Sequence, residues 1–345
     1  MTRQSPSKSV KALKPVTIQD VAKHAGVAPS TVSNVLSGRK FVQPQLKETV
    51  LAAIREMNYK PNFVASSLRK GRTNSVGVIV PDITNPFFSD FVQQVGTVAM
   101  QEGMQLLLMN SNELSISQAD LIDTLVARQV DGMIIFLSDE HLVATGHSLI
   151  ESVPTVLVDR GAELSGFDTV AINNNDATYA GTRHLIEMGH KEITFVATRD
   201  SLMHMTQRVD GYRRAMEETG LTGHINVIYA GVTIEECRQS LREHILHQKP
   251  PTAIFASAYI ATLGTIKAVR EMDLTIPDDI SVLGFDDSDW MSVLKPTIST
   301  VAQPIELMVE TAWRLLMQRI TELEKPISHI AHTTQMHIRE SVRAL

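Results

Sequence analysis

Between positions 17 and 60, apolar residues recur at helical spacing in three short groups separated by breakers. Thr17 followed by Asp20 reads as a capping box with Asp in the Glu position. It opens a helix that runs to about Ala25, where Gly26 breaks it. Pro29 stands where a second helix places its first residue, with the poor cap Ala28 before it. In "PSTVSNVLS" the spacing puts Val32, Val35 and Leu36 on an inner face and Pro29, Ser30, Thr31, Ser33 and Asn34 on an outer one. "QPQLKETVLAAIREMNY" gives a third helix, with Pro44 near its start and Leu46, Val50, Ile54 and Met57 on its apolar side. A further segment, "NFVASSLRKG", starts on the capping residue Asn62, ends before Gly71 and has few apolar partners of its own.

From Ser75 the rhythm changes. Short continuous apolar runs, "SVGVIV", "MQLLLMN", "GMIIFL" and "PTVLVD", alternate with helical stretches such as 87–102 and 116–129. A second series, "EITFVA", "NVIYAG", "TAIFAS" and "ISVLGFD", follows after a restart near residue 172. Strands that are apolar throughout and lie between helices predict parallel sheets covered on both faces. Too many runs are present for one small sheet. The expected fold class is therefore α/β, with a small all-α head and two doubly wound subdomains enclosing a cleft.

Composition and charge sharpen this division. The 345 residues are 43% hydrophobic, enough for two or three units with real cores. The net charge of −6 hides a split: residues 1–72 hold 13 Lys/Arg against Asp20, Glu48 and Glu56, so the head carries +10 and the remainder −16. That asymmetry predicts a cationic module for a polyanion, joined to an acidic soluble body. The basic, Ser/Pro-rich start lacks an apolar core for a signal peptide, and no run is long enough to cross a bilayer. With the single Cys237, these features predict a cytoplasmic protein without internal disulfides and without a membrane partner.

Three helices in about 43 residues, with a tight Gly-containing turn between the first two, describe a helix-turn-helix unit. A helix lying in a DNA major groove needs short polar residues near its N-terminus, and the outer face of "PSTVSNVLS" supplies them. Ser and Thr hydroxyls there suit phosphates, while Asn34 suits an adenine edge.

"TIQDVAKHAGVAPSTVSNVLSG" followed by "NYKPNFVASSLRKGRT" resembles the N-terminal signature of the lactose/galactose-repressor family of bacterial transcription regulators, and the similarity runs from Thr17 to Ala344. The resemblance implies a homodimer that reads a pseudo-palindromic double-stranded operator. In it Pro29, Ser30 and Asn34 match the base-choosing positions, while Thr17, Thr31, Ser33 and Tyr59 match positions that hold the backbone. Segment 62–70 matches a hinge helix that orders over the minor groove, with Asn62 and Ala65 among the DNA contacts. Leu68 matches the residue that wedges between base pairs. Ser66 stands where the family often has Arg or Gln. No leucine heptad tail follows the last core helix, which favours a dimer over a tetramer.

The body resembles the periplasmic sugar-binding fold that this family shares. The implied division is a leader at 1–16, the DNA-binding head at 17–61 and the hinge and linker at 62–72. The effector and dimerisation domain follows at 73–345, with an N-subdomain of 73–171 plus 304–326 and a C-subdomain of 172–303 plus 327–345. Paired aromatics after a first strand suit stacking on a sugar or a base. By resemblance Asn85, Phe87 and Phe88 border an effector pocket, at least one Phe being plain core. Asp159, Arg160, Arg208, Asp286 and Gln303 match polar positions of the same site. Two departures stand out. Ala258 and Tyr259 replace the usual Asn-Asp or Ser-Asp, exchanging a hydroxyl acceptor for a bulky ring, and Asn173 replaces an acid. The expected effector is a sugar, a sugar acid or a related metabolite, less polar than a free hexose or phosphorylated.

Nothing in the sequence points to catalysis. P-loop, dinucleotide-fold, nucleophile-elbow and zincin motifs are absent. His244 and His247 share a helix face but lack a third metal ligand, and Asp286–Asp287 has no accompanying nucleophile or base. The expectation is a regulator, a repressor in its family's sense, with no cofactor, no metal and no catalytic residue. The alternatives are a DNA-binding protein whose sensor has lost its ligand, and a solute-binding protein, which residues 17–72 would leave unexplained.

Overall fold

Thr17 caps the first helix as its spacing predicts: its hydroxyl accepts from the Asp20 amide at 3.3 Å, while the Asp20 carboxylate takes the Thr17 amide at 2.8 Å. Helix α1 (Ile18–His24) ends in a Schellman arrangement, with Val27 N bonded to Ala22 O and Gly26 N to Lys23 O. Gly26 sits at φ +66°, a left-handed conformation that a side chain there would strain. Helices α2 (Pro29–Ser37) and α3 (Pro44–Glu56) complete the head. Its small core is Val21, Ala22, Val32, Val50 and Ala53, with Val35, Ile54, Met57 and Tyr59 packed around it. His24 and Glu56, 2.9 Å apart, pin α1 to α3 at the surface. The computed structural model describes residues 16–37, 41–60, 72–112, 115–138, 150–161, 164, 166–199 and 202–345. Residues 1–15, and the segment expected to form a hinge, with Asn62, Ala65, Ser66 and Leu68, lie outside these residues.

The chain divides into two compact units, Met1–Thr73 and Asn74–Leu345. The second holds two six-stranded sheets. The first sheet runs β1 (Ser75–Val80), β2 (Gln105–Asn110), β3 (Gly132–Ile135), β4 (Thr155–Val158), β5 (Asp168–Ile172) and β11 (His329–His332), all parallel, in the order β11-β5-β4-β3-β1-β2. The second runs β6 (Ile193–Ala197), β7 (Asn226–Tyr229), β8 (Ala253–Ala256), β9 (Ser281–Phe285), β10 (Ser299–Ala302) and β12 (Gln335–His337), in the order β12-β10-β9-β8-β6-β7. Its strands are parallel except for β12, which is antiparallel to β10. The helices are α4 (Pro86–Gln101), α5 (Ser115–Ala127), α6 (Asn174–Glu187), α7 (Met203–Glu218), α8 (Ile234–His247), α9 (Tyr259–Glu271), α10 (Asp289–Val293) and α11 (Ile305–Thr321). The inner strands are buried along their whole length, which is why they read as unbroken apolar runs.

Both sheets share one strand order, with the reversal between β1 and β3 in the first and between β6 and β8 in the second. In such sheets ligands gather beyond the carboxyl ends of the strands at the reversal. The chain passes between the lobes three times: after β5, between β10 and α11, and between β11 and β12. This last crossing corrects the expected boundary at 327. Strand β11 pairs with β5, so residues 329–332 belong to the first lobe, and only the segment from β12 onward joins the second.

Candidate functional site

Helix α2 presents the faces that its spacing predicts, with one correction. Pro29 and Ser30 are exposed, Thr31, Ser33 and Asn34 are half-buried, and Val32 is fully buried in the head core. Leu36, expected on the inner face, is exposed at 38%. At about 100° per residue it falls beside Pro29 rather than between Val32 and Val35, so it flanks the polar face. Thr17 is exposed, but its hydroxyl already serves the α1 cap. Tyr59 lies against the apolar cluster of the head, half-buried.

In the larger unit, a cavity of about 80 Å³ lies between the lobes, lined almost entirely by segments that follow strands. From the first lobe come Asp82, Asn85, Phe87 and Phe88 after β1, and Asp159 and Arg160 after β4. The second lobe contributes Thr198 and Arg199 after β6, then Leu202, His204, Met205 and Arg208 around the start of α7. Val232, Ala258, Ile260 and Asp286 follow β7, β8 and β9, and Gln303 comes from the second lobe crossing.

Asp159 and Asp286 hold equivalent places in the two lobes. Each follows the fourth strand of its sheet, each adopts φ +65°, and each donates its amide to the next strand, to Val170 O at 2.8 Å and Val301 O at 2.9 Å. Left-handed geometry outside glycine costs of order 1 kcal/mol and clusters at functional positions. Arg208, buried to 2% exposure, is fixed on three sides. Its Nε donates to Asn174 Oδ1 at 2.8 Å, its Nη1 donates to Ser257 O at 2.7 Å, and its guanidinium lies 3.7 Å from the centre of the Phe285 ring. Asp159 lies 3.9 Å from Arg208 Nη2 and 3.8 Å from Arg160 Nε. Burial pushes the Arg208 pKa down, while Asp286 and Asp159 act in the opposite sense. An arginine so placed remains charged. Gln303 Nε2 donates to Asp286 Oδ1 at 2.7 Å, tying the crossing to the second lobe.

The aromatic pair serves two purposes at once. Phe87 and Phe88 line the cavity, yet both are buried and pack edge-on with Phe136 at 6.0 and 5.1 Å. Asn85 lines it too, but its side-chain oxygen caps α4 by accepting the Phe87 amide at 3.1 Å. Tyr259 is a correction. Only its backbone faces the site, its amide donating to Asp286 Oδ2 at 3.3 Å, while its ring packs on Trp290, 6.2 Å between centroids, beside Ile266, Met291 and Ile298. Ala258 and Ile260, its neighbours, line the cavity instead, because successive residues at a helix start point about 100° apart. Asn173 caps α6 and is exposed, so the exchange there removed no cavity charge. Asp287 turns away from its neighbour, toward Arg339, Thr300 and His337. His244 pairs with Asn226 Nδ2 at 2.8 Å, and among the described residues no cluster has the makings of a metal site. The sequence reading missed Arg199 and His204. No motif marks them, and only the path of the chain brings them to the cleft.

Residues 17–62 match the family described as bacterial regulatory proteins, lacI family, and residues 182–342 match a periplasmic binding protein-like domain. The HTH-type transcriptional repressor PurR of Photobacterium profundum is 31% identical over 331 residues, covering 95% of this chain and 99% of the relative. The repressor of the same name from Vibrio cholerae serotype O1 is 32% identical over 327 residues, covering 93% and 95%. Among solved structures, the Lac repressor dimer bound to operator and the anti-inducer ONPF superimposes with a TM-score of 0.86 at 25% identity, covering 96% of this chain and all of that one. A complex of the transcriptional regulator CelR with cellobiose gives 0.68 at 29% identity, covering 94% and 99%. Among the described residues no helix is long and apolar enough to cross a membrane. With both of its parts matched and relatives similar over nearly their full length, the chain belongs to the lacI family of bacterial regulatory proteins: a helix-turn-helix transcriptional repressor joined to a periplasmic-binding-protein-like effector domain.

Proposed function

We propose that this repressor binds a pseudo-palindromic operator as a dimer and changes its grip when a small polar metabolite closes the cleft between its lobes. The convergence of Asp159, Arg208 and Asp286 from both lobes carries the effector half of this reading. A ligand bridging them stabilises one lobe arrangement over the other, which is how binding at one site biases another. A larger groove, about 780 Å³ between α4 and α11, is open and floored by Val98, Val309, Trp313 and Met317, without buried charge. It is the weaker candidate for a hydroxylated metabolite.

At the DNA end, α2 lies in the major groove. Ser30 and Asn34 choose bases, Pro29 offers apolar contact such as a thymine methyl accepts, and Thr17, Thr31, Ser33 and Tyr59 hold phosphates. The hinge, through Asn62, Ala65 and Leu68, enters the minor groove and kinks the duplex there. Catalysis has no place in this reading, and the protein acts in the cytoplasm, where its operator is. The rival reading, a regulator without a ligand, draws on the cavity volume: 80 Å³ holds only a handful of waters and lies below the usual metabolite pocket of about 300 Å³ or more. Calorimetry and operator-binding assays against sugars, sugar acids, sugar phosphates and purines separate the two. A compound that binds and changes operator affinity in either direction supports the effector reading, and silence across the panel supports the rival. For the DNA end, Asn34→Ala is expected to relax discrimination at one base pair by about tenfold or more. Unchanged base preference in a binding-site selection experiment would falsify the assignment.

A further inference from the structure

His204 and Gln303 both line the cleft, and each buries a polar atom, His204 Nδ1 and Gln303 Oε1, that has no hydrogen-bond partner among the described residues. His204 stands at the start of α7, only 7% exposed, and Gln303 lies on the crossing that follows β10. The Gln303 amide has a fixed sense. Asp286 Oδ1 takes its Nε2 at 2.7 Å, and a carboxylate has no proton to offer Oε1 in exchange. A buried polar atom left unpaired is costly, and in a cavity wall it marks a place where a ligand atom belongs.

The charged groups of the same wall are already engaged. Three carboxylates (Asp82, Asp159, Asp286) and three guanidiniums (Arg160, Arg199, Arg208) line it, so their charges sum to zero, and each lobe brings both signs. Asp82 takes the amide and hydroxyl of Thr84 at 2.9 and 2.7 Å. Asp159 lies 3.8 Å from Arg160 Nε and 3.9 Å from Arg208 Nη2. Arg160 also donates to Leu137 O at 3.0 Å, Arg208 donates to Asn174 and Ser257 O, and Arg199 has interactions of its own. Asp286 takes the Gln303 and Tyr259 nitrogens. An anionic head group closed into this wall finds no unanswered cation and shares the cavity with three carboxylates. A hydroxyl meets no such penalty, because an engaged carboxylate still has lone pairs to accept it. Burial first, then Arg160, Arg208 and Arg199, hold the His204 pKa well below the usual histidine value. Its ring is therefore uncharged too, and Nδ1 donates or accepts as the ligand requires.

We propose that His204 determines which effector the cleft accepts: an uncharged polar ligand that pairs one atom with His204 Nδ1 and donates a hydrogen bond to Gln303 Oε1. The phosphorylated or carboxylated counterparts of that ligand are rejected by the balanced wall. The proposal rests on the reading of the cleft as an effector site and adds the ligand's charge and the residue that selects it.

The test uses the full-length protein and matched compounds: glucose with its phosphate ester and with gluconate, ribose with its phosphate ester, glycerol with glycerol phosphate, and adenosine with its monophosphate. Thermal unfolding at equal ionic strength detects binding by mass action, and calorimetry gives the affinity of each compound that stabilises. At least one neutral compound is expected to bind wild type, about tenfold or more tightly than its anionic counterpart. For that compound His204→Leu is expected to weaken binding about tenfold or more. His204→Asn, which keeps a polar atom near the place of Nδ1, should stay within a few-fold of wild type. A ring that merely fills space gives the opposite order, because leucine packs a buried site better than asparagine. The comparison of neutral with anionic compounds in wild type stands whether or not a variant folds. An anionic compound that binds as tightly as its neutral counterpart, or more tightly, overturns the proposal and leaves the effector reading standing. Full affinity in His204→Leu does the same. No binding across the whole panel overturns both.

Discussion

Arg208 shows how much a single side chain organises in this protein. Its three nitrogens and its flat face are each occupied: by Asn174, by the Ser257 carbonyl, by the neighbourhood of Asp159, and by the Phe285 ring. Lysine keeps the charge but has neither the fork nor the plane. Arg208→Lys is therefore expected to cost about 2–4 kcal/mol, read as a lower midpoint in denaturant, and to abolish any effector response. A lysine variant as stable as wild type would contradict this account. Val32 and Leu36 make a second contrast, because the sequence pattern treats them alike and the folded head does not. Val32→Ala is expected to cost about 2 kcal/mol, whereas Leu36→Gln should stay within about 0.5 kcal/mol in the same urea titration. The misreading has a simple origin: apolar identity does not distinguish a position at the centre of a helix face from one about 70° off it. Tyr259 failed for a related reason. Its place in the chain was right, but a side chain's direction at a helix start changes by about 100° with each residue, and the pattern does not fix it.

Among the elements, legibility follows the length of the apolar run rather than burial: β2 has no buried residue yet reads as a run, while the fully buried β5 begins on Asp168 and Thr169 and does not. Strands β1 to β4 and β6 to β9 appear in the sequence as apolar runs, and the helices between them by their periodicity. The strands that escaped notice lie at or near the lobe crossings. "HIAH" and "QMH" mix exposed and half-buried residues over three or four positions at sheet edges, too short to show a period. Strand β12 is held by chemistry rather than by apolar burial. Burial opposes ionisation of Asp287, but hydrogen bonds from Arg339, Thr300 and His337 outweigh it and bring its pKa down to about 2. A carboxylate depressed in the folded state stabilises above its unfolded value near about 3.9. That stabilisation is lost as the pH falls from about 4 toward about 2. Wild type is expected to lose on the order of 1 kcal/mol over this window, after allowance for solvent screening, that Asp287→Asn does not lose. Parallel acid-unfolding profiles of the two proteins would count against this assignment. In the candidate site, Asp159 and Asp286 are reached through the family resemblance, each just after a short, fully buried strand. The site was illegible where only the fold delivers the residue: Arg199 and His204 line the cavity but belong to no apolar run.

For the whole molecule, the charge split is the property most open to experiment. A head of +10 on a body of −16 concentrates the attraction for phosphates in 72 residues. Operator affinity is expected to fall by about 10³-fold or more between about 50 and 200 mM salt, with a linear log–log slope. A slope near zero would mean that the head does not neutralise phosphates.

The three passages between the lobes have a further consequence, for assembly during synthesis. Strand β11 completes the first sheet, where Asp168 takes the Ser328 amide at 2.8 Å and Thr169 meets His329 at 2.9 Å. A few residues later β12 and Ser341 complete the second, with the Ser341 hydroxyl bonded to Val282 O and the Ser299 amide. On the ribosome, therefore, neither lobe has its last strand until nearly the whole chain has emerged, although most of both sheets is present long before. A chain cut short before β11 leaves two unfinished sheet edges instead of one missing tail, each a row of unpaired backbone groups open to the wrong strand.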